Sequence, residues 1–260
     1  MITLLNGEQW NKEDILKEMV NDEFYYGHLG QNALSSSSLK QLLQSPKAYR
    51  KSLRRTDTNS QALRDGQLVH LSVLEPHRLD ELTIVDGTKA TKAYKEAVAE
   101  LGSHLVYTRS EMENAYWIAD AVKSNADASY LLDDCNYEVP GVGMLYDLPF
   151  RAKADAMTKD GSTIIDLKTT SGSVKEFMWA ANKYNYSLQA SLYLQIFGAT
   201  EFIFLVVDKT NLDIGIFECS ENFLELGSVQ ISDAVNIYKE FFMQDNSEEL
   251  ITNNVYRGIL

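Results

Sequence analysis

Cysteine and proline are scarce in this chain, and each scarcity narrows the chemistry open to it. Two cysteines, Cys135 and Cys219, occur in 260 residues, and they do not form a Cys-x-x-Cys pair. Two are too few for a disulfide framework, a four-cysteine zinc site or an iron–sulfur cluster. Both fall in strand-like segments, which favours buried free thiols. The four prolines, at positions 46, 76, 140 and 149, build no Pro-rich linker. With no internal repeat or low-complexity tract, the chain reads as one folding unit. Apolar runs such as Phe202–Val207 fall far short of the ~20 residues of a membrane-spanning helix. The start, Met1-Ile2-Thr3-Leu4-Leu5, meets acidic residues almost at once and lacks the basic opening and long apolar region of a secretory leader. The expectation is therefore a cytoplasmic protein with no membrane partner.

Positive charge is also in deficit. Lys and Arg number 24 against 37 Asp and Glu, a net charge of −13, which argues against a uniformly basic coat for nucleic acid. Any DNA contact needs a local basic channel, for which Lys47, Arg50, Lys51, Arg54, Arg55 and Arg64 could supply one wall.

Hydrophobic residues make up 45% of the chain, enough for a sizeable core. After a weakly patterned start with a short helix near 12–20, Ser35 to Ser38 offer N-caps for a helix to about Leu53, broken at Pro46. Helical patterns follow over 61–74, 90–101 and 110–125, with a short strand near 104–107. From Asp134 the texture changes to short strand-like runs at 135–139, 143–146, 150–157 and 162–167, separated by turn residues. Helices over 174–181 and 187–197, strands at 202–207 and 214–218, and a helix over 221–242 complete the pattern. This order predicts an α/β (α+β) fold, a mixed central sheet flanked by helices with a helical N-terminal half. The expected organisation is an N-terminal extension over 1–34 and one domain over 35–260, with its core at about 134–220.

The informative stretch runs from Phe150 to Thr170. Asp160-Gly161 between two strand-like runs favours a two-residue type I′ hairpin, in which facing residues have numbers summing to 321. Asp155 then faces Asp166, and Lys168, two residues further on the same strand, shares that face and opposes Lys153. Carboxylates so placed repel each other unless a cation neutralises them. Hard oxygen ligands, a divalent ion and a nearby lysine that orients or deprotonates water suit phosphodiester hydrolysis.

Asp155, ten residues, then Asp166-Leu167-Lys168-Thr169-Thr170 resembles the D…(D/E)xK signature of PDDEXK nucleases, and Gln189-Ala-Ser-Leu-Tyr193 resembles the QxxxY motif of their RecB-like subgroup. Gly66 to Pro76, containing His70, is similar to the helix that carries a metal-binding histidine in RecB-like and RecE-like relatives. Ser36 to Tyr49 is similar to their N-terminal helix, and the Leu74-Glu75-Pro76 ending most resembles the RecE (exonuclease VIII) group of phage-type recombination exonucleases. The resemblance implies a PDDEXK restriction-endonuclease-like core and a Mg²⁺-dependent exonuclease, with Mn²⁺ able to substitute, degrading linear double-stranded DNA from 5′ to 3′. His70, Asp155, Asp166 and the Leu167 carbonyl would hold metal, and Lys168 would serve the attacking water. Gln189 and Tyr193, four apart on one helix face, would reach the phosphate or the catalytic strand. Lys153, Thr169 and Thr170 would contact substrate, Glu138 would contact metal-bound water or help position substrate, and Tyr184 and Tyr186 would offer stacking surfaces for an unpaired end. A homo-oligomer, a single-strand annealing partner and the cytoplasm of a bacterial host are implied in the same way. The alternatives are a single-strand or structure-selective endonuclease of the RecB-like group, and a DNA-end-binding module without catalysis.

Overall fold

The computed structural model describes residues 1–54 and 60–258. Its first elements are a small hairpin of β1 (Ile2–Thr3) and β2 (Gln9–Trp10), α1 (Lys12–Glu18), a π-helical turn over Glu23–His28 and α2 (Leu29–Asn32). Next come α3 (Ser36–Gln44) and α4 (Pro46–Leu53), whose break follows from Pro46 standing at the first turn of α4 with Ser45 as its N-cap. Helix α5 (Gln61–Leu74) begins where the Ser60 side chain accepts from Leu63 N and ends ahead of Pro76. A 3₁₀ turn (Pro76–Glu81), β3 (Thr83–Val85), α6 (Lys92–Leu101), β4 (Val106–Thr108), α7 (Arg109–Ser124) and α8 (Ala126–Leu132) complete the N-terminal half.

The second half builds one five-stranded sheet from β5 (Cys135–Leu145), β6 (Leu148–Thr158), β7 (Thr163–Thr170), β8 (Glu201–Asp208) and β9 (Ile214–Glu218), in that spatial order. Within this sheet only the β7–β8 pair is parallel, and the crossover that a parallel pair requires is supplied by α9 (Phe177–Lys183) and α10 (Tyr186–Phe197). Helix α11 (Glu221–Phe242) and the short α12 (Ser247–Asn253) close the chain. A mixed sheet flanked by helices is thus what the sequence pattern anticipated. No helix among the described residues is long and apolar enough to cross a membrane.

Both faces of the sheet are covered. Ile164 of β7 lies in a core with Leu39, Leu188, Leu192 and Ile231 of α3, α10 and α11, while Ile165 and Leu167 lie in a second core with Leu68, Val73, Ile118 and Val122 of α5 and α7. A strand buried on both sides reads as a continuous apolar run, so Asp166 and Lys168 interrupt such a run. A third, smaller core packs Ile15, Met19 and Leu29 of the first 34 residues against Val142 of β5. Leu34 continues this attachment, its N–H donating to the Pro149 carbonyl and its carbonyl accepting from Arg151 N.

Two local results depart from the sequence reading. The runs at 135–139 and 143–146 are one strand, β5, and the type I′ geometry belongs to Tyr146 and Asp147, both at positive φ between β5 and β6. Around Asp160-Gly161 only Gly161 has a positive φ (76°), and Asp160 Oδ1 instead accepts from Ser162 N at 3.0 Å. The register nevertheless agrees, since Ala156 pairs with Ile165 and Met157 with Ile164. A four-residue loop over 159–162 puts Thr158 opposite Thr163, just as the two-residue turn would.

Candidate active site

The β6–β7 ladder stops at Ala156–Ile165, and the β5–β6 ladder skips the Glu138–Asp155 pair. Glu138 has φ +49° within a strand, a left-handed conformation that costs a non-glycine residue roughly 1–3 kcal/mol and survives only where the surroundings impose it. Alternation would put Ala152, Ala154 and Ala156 on one face. Instead Ala152 and Ala154 lie in the core under α10 and Ala156 in the core under α5, so β6 turns over at Asp155. This displaces Lys153. It does not face Lys168, as a regular hairpin would require, but pairs with Asp22 at 2.9 Å over the Tyr25 ring.

Where β6 and β7 part, polar groups from both helical layers meet. Asp155 Oδ2 accepts from Leu167 N at 2.8 Å and lies 3.5 Å from His70 Nδ1 on α5. A strand residue's N–H and C=O point to the same side, so the Leu167 carbonyl also faces this gap. Ligand atoms of His70, Glu138 and Asp155 all lie within 4.8 Å of one another. Atoms sharing one octahedral ion at ~2.1 Å stand about 3–4.2 Å apart, so adjustments below about 1 Å would bring the three onto one cation. The donor set, two carboxylates and an imidazole, fits Mg²⁺ or Mn²⁺. Burial, reinforced by repulsion from Asp155 and Glu75, pushes the Glu138 carboxyl up to about 8, with Lys153 opposing the shift. A bound cation would relieve that crowding.

Asp166 does not join this triad. Its side chain is 3% exposed, and it forms an ion pair with Lys168 and accepts from Gln189 Nε2 at 2.7 Å. Burial works against charge on Lys168, but Asp166 and Asp155 more than offset it and hold its pKa above the ordinary lysine value. Lys168 therefore stands as a protonated donor. Tyr193, one turn beyond Gln189, packs against Phe197 and Phe202, and burial first, then Tyr25, Asp166 and Asp155, raises its phenol well above the usual value. Thr169 and Thr170 are half-buried at the end of β7, and Thr170 Oγ1 accepts from Gly172 N.

Of the residues expected from sequence, the structure gathers His70, Asp155, Asp166, Leu167, Lys168 and Gln189 at one seam. It also places Glu138, expected at metal-bound water or substrate, among the metal-compatible ligands. Lys40 of α3 went unnoticed in the sequence. Its Nζ donates to Gln189 Oε1 at 3.4 Å and sits 4.9 Å from the Tyr186 ring centroid, from which Lys168 Nζ lies 5.5 Å. Burial, with Lys168 adding to it, lowers Lys40 to about 8. Its only sequence signal is a position on the apolar side of an amphipathic helix. Tyr186 itself stacks on Phe177 and Phe204, leaving Tyr184 as the exposed ring of the pair. The expected basic wall is reduced: Arg64 is 4% exposed and donates to the Ser103 and Val106 carbonyls, Arg50 pairs with Glu248, and Arg55 lies outside the described residues. Lys47, Lys51 and Arg54 stay exposed.

A search of curated proteins gives no match. Among solved structures, a Eubacterium rectale protein named "putative exonuclease" superposes with a TM-score of 0.63 at 16% identity, over 98% of this chain and 97% of that one. At that identity the likeness speaks for the fold alone. A phage-related exonuclease from Haemophilus somnus 129PT, also 16% identical, is a more distant neighbour, with a TM-score of 0.34 over 81% of this chain and 95% of that one. The family model of the PDDEXK-like domain of unknown function DUF3799 matches residues 35–249. The opened β6–β7 seam, its acidic residues and its half-buried lysine thus lie inside a chain that belongs to this family of PDDEXK-like domains.

Proposed function

We propose that this chain is a divalent-metal-dependent deoxyribonuclease, an exonuclease that degrades linear double-stranded DNA from 5′ to 3′. The observation that carries the reading is the meeting of His70, Glu138 and Asp155 beside the Asp166–Lys168–Gln189 group. Polar side chains are costly on a strand buried on both faces unless they are paired or bind an ion, and these residues supply the parts that phosphodiester hydrolysis needs. His70, Glu138 and Asp155 would hold Mg²⁺ or Mn²⁺, with the Leu167 carbonyl and Asp166 within the same seam. The ion, when bound, polarises the scissile phosphate and lowers the pKa of its water.

The remaining steps belong to the chain. Leu167 N fixes the Asp155 carboxylate, so one oxygen is oriented before any ligand arrives. Gln189 does the same for Asp166, and Lys40 holds the Gln189 amide oxygen so that its nitrogen donates. Lys168, protonated, orients the attacking water and stabilises the charge that develops on the phosphate. Glu138 must lose its proton to bind a cation, so metal affinity rises with pH up to about 8. The family resemblance extends the reading to a homo-oligomer that works with a single-strand annealing protein in recombination or repair, in the cytoplasm of a bacterial host.

The test is degradation of linear duplex DNA labelled at one 5′ end, beside closed circles, in Mg²⁺ and in EDTA. Mg²⁺-dependent release of label from linear DNA alone supports the exonuclease and its polarity. Nicking of circles would replace it with an endonuclease, and no cleavage with any metal would replace it with a DNA-end-binding module.

A further inference from the structure

Two basic side chains at the rim of the candidate metal triad are both engaged by one carboxylate from the N-terminal segment. Asp22 Oδ1 lies 2.9 Å from Lys153 Nζ, and Asp22 Oδ2 lies 3.5 Å from Arg78 NH2. Each oxygen thus takes one cation. Lys153 is 12% exposed beneath the rings of Tyr25 and Tyr26, whereas Asp22 is 48% exposed. Arg78, in the 3₁₀ turn after α5, also pairs with Glu75 at 3.1 Å and Glu81 at 3.4 Å. Lys153 stands two residues before Asp155 on β6 and pairs with Pro140, two residues after Glu138, and Arg78 is tied to it through Asp22, which places the group beside the triad.

Asp22 directly precedes the π-helical turn Glu23–His28, in a stretch that lies before the family match at 35–249. Single-turn π segments are uncommon and recur at functional sites. The carboxylate is therefore delivered by a segment that precedes the family match. A carboxylate presenting one oxygen to a lysine and one to an arginine offers what the two non-bridging oxygens of a phosphodiester offer, at the same single negative charge.

We propose that Lys153 and Arg78 form a binding site for a DNA backbone phosphate next to the scissile one, and that Asp22 fills it as an internal substitute until DNA displaces it. The proposal rests on the nuclease reading. It makes the N-terminal segment a brake on DNA binding. The exchange is balanced, because one anion replaces another, and the half-exposed Asp22 regains water when it leaves.

The experiment is fluorescence anisotropy of a labelled linear duplex in EDTA, where no cleavage intervenes, with wild type, Asp22→Asn, Arg78→Met and the double variant. The expected result is a Kd about two- to fivefold lower for Asp22→Asn, on the scale of a partly exposed ion pair. Arg78→Met should raise Kd and flatten the slope of log Kd against log[salt] by about 0.9, the loss of one phosphate contact. The double variant should lose most of the gain of Asp22→Asn. Unchanged or weaker binding by a folded Asp22→Asn would overturn the inference and leave Asp22 as a structural clasp. If Asp22→Asn does not fold, an unaltered salt slope in Arg78→Met would overturn it instead. Absence of DNA binding by wild type would overturn the nuclease reading as well, whereas cleavage with no Asp22 effect would overturn this inference alone.

Discussion

Replacing Glu138 with Gln should stabilise the metal-free protein at high pH and weaken its stabilisation by Mg²⁺. Burial and the nearby Asp155 and Glu75 raise the Glu138 carboxyl from 4.5 to about 8. The folded protein therefore holds this proton more tightly than the unfolded chain. The linked stability is fully present below pH 4.5 and is lost as the pH rises through about 8. At about 1.36 kcal/mol per pH unit, the interval sets a ceiling near 5 kcal/mol. Partial solvent access and side-chain relaxation bring the expected effect to about 1–2 kcal/mol. Glutamine keeps the shape and never ionises, so the variant escapes the penalty. At roughly 2–4 °C per kcal/mol for a domain of this size, it should melt about 2–8 °C above wild type at pH 9 in EDTA and coincide with it near pH 5. Millimolar Mg²⁺ should raise the wild-type Tm by binding the ionised carboxylate and raise the variant's much less. Thermal melts at pH 5, 7 and 9, with and without Mg²⁺, make the comparison. A difference that does not vary with pH, or equal stabilisation of both proteins by Mg²⁺, would refute the reasoning.

Three further outcomes follow from the same geometry. Gln189→Ala frees Asp166 Oδ2 and should lower kcat on duplex DNA about 10–100-fold, the usual cost of losing an outer partner of an active-site group, and lower Tm as well, because a buried acceptor loses its donor at a cost of about 1–3 kcal/mol. Lys40→Met should abolish a descending limb in the pH profile: Lys40 is charged below about 8 and loses that charge above it, so wild-type kcat should fall as pH passes 8 while the variant, low throughout, shows no such step. Gly227 of α11 lies against α10, and a Cβ there would run into the Ser187 carbonyl. Gly227→Ala should therefore cost about 1–3 kcal/mol by overpacking, seen as a lower Tm with unchanged activity per folded molecule.

Periodicity delivered the elements because most of them bury one stripe or one face. The observed bounds of α5, β9 and α11 coincide with the expected ones, and the boundary signals Ser60, Pro76 and Ser220 do the marking. The register of the β6–β7 hairpin was legible although its turn was not, since two loop geometries give the same pairing. Lys40 was not legible as a member of the site, and Glu138, expected near the site, was not legible as one of three clustered metal-compatible ligands. Glu138 depends on a left-handed residue inside a strand and on β6 turning over at Asp155, and an alternating pattern carries no sign of either. Lys40 meets Gln189 across 149 positions of sequence, a contact set by how α3 packs on α10. The same limit explains Arg64. Its place in a Lys/Arg-rich stretch suggested a channel wall, but its guanidinium caps buried carbonyls over the Tyr107 ring.

The most direct test of the central claim is Mg²⁺-dependent hydrolysis of linear duplex DNA by wild type and Lys168→Ala, with duplex binding in EDTA measured on the same preparations. The account predicts cleavage by wild type that EDTA abolishes, a loss of about 10²–10⁴-fold in the variant, and near-equal binding by both. Full cleavage by Lys168→Ala, or cleavage that persists in EDTA, would contradict it.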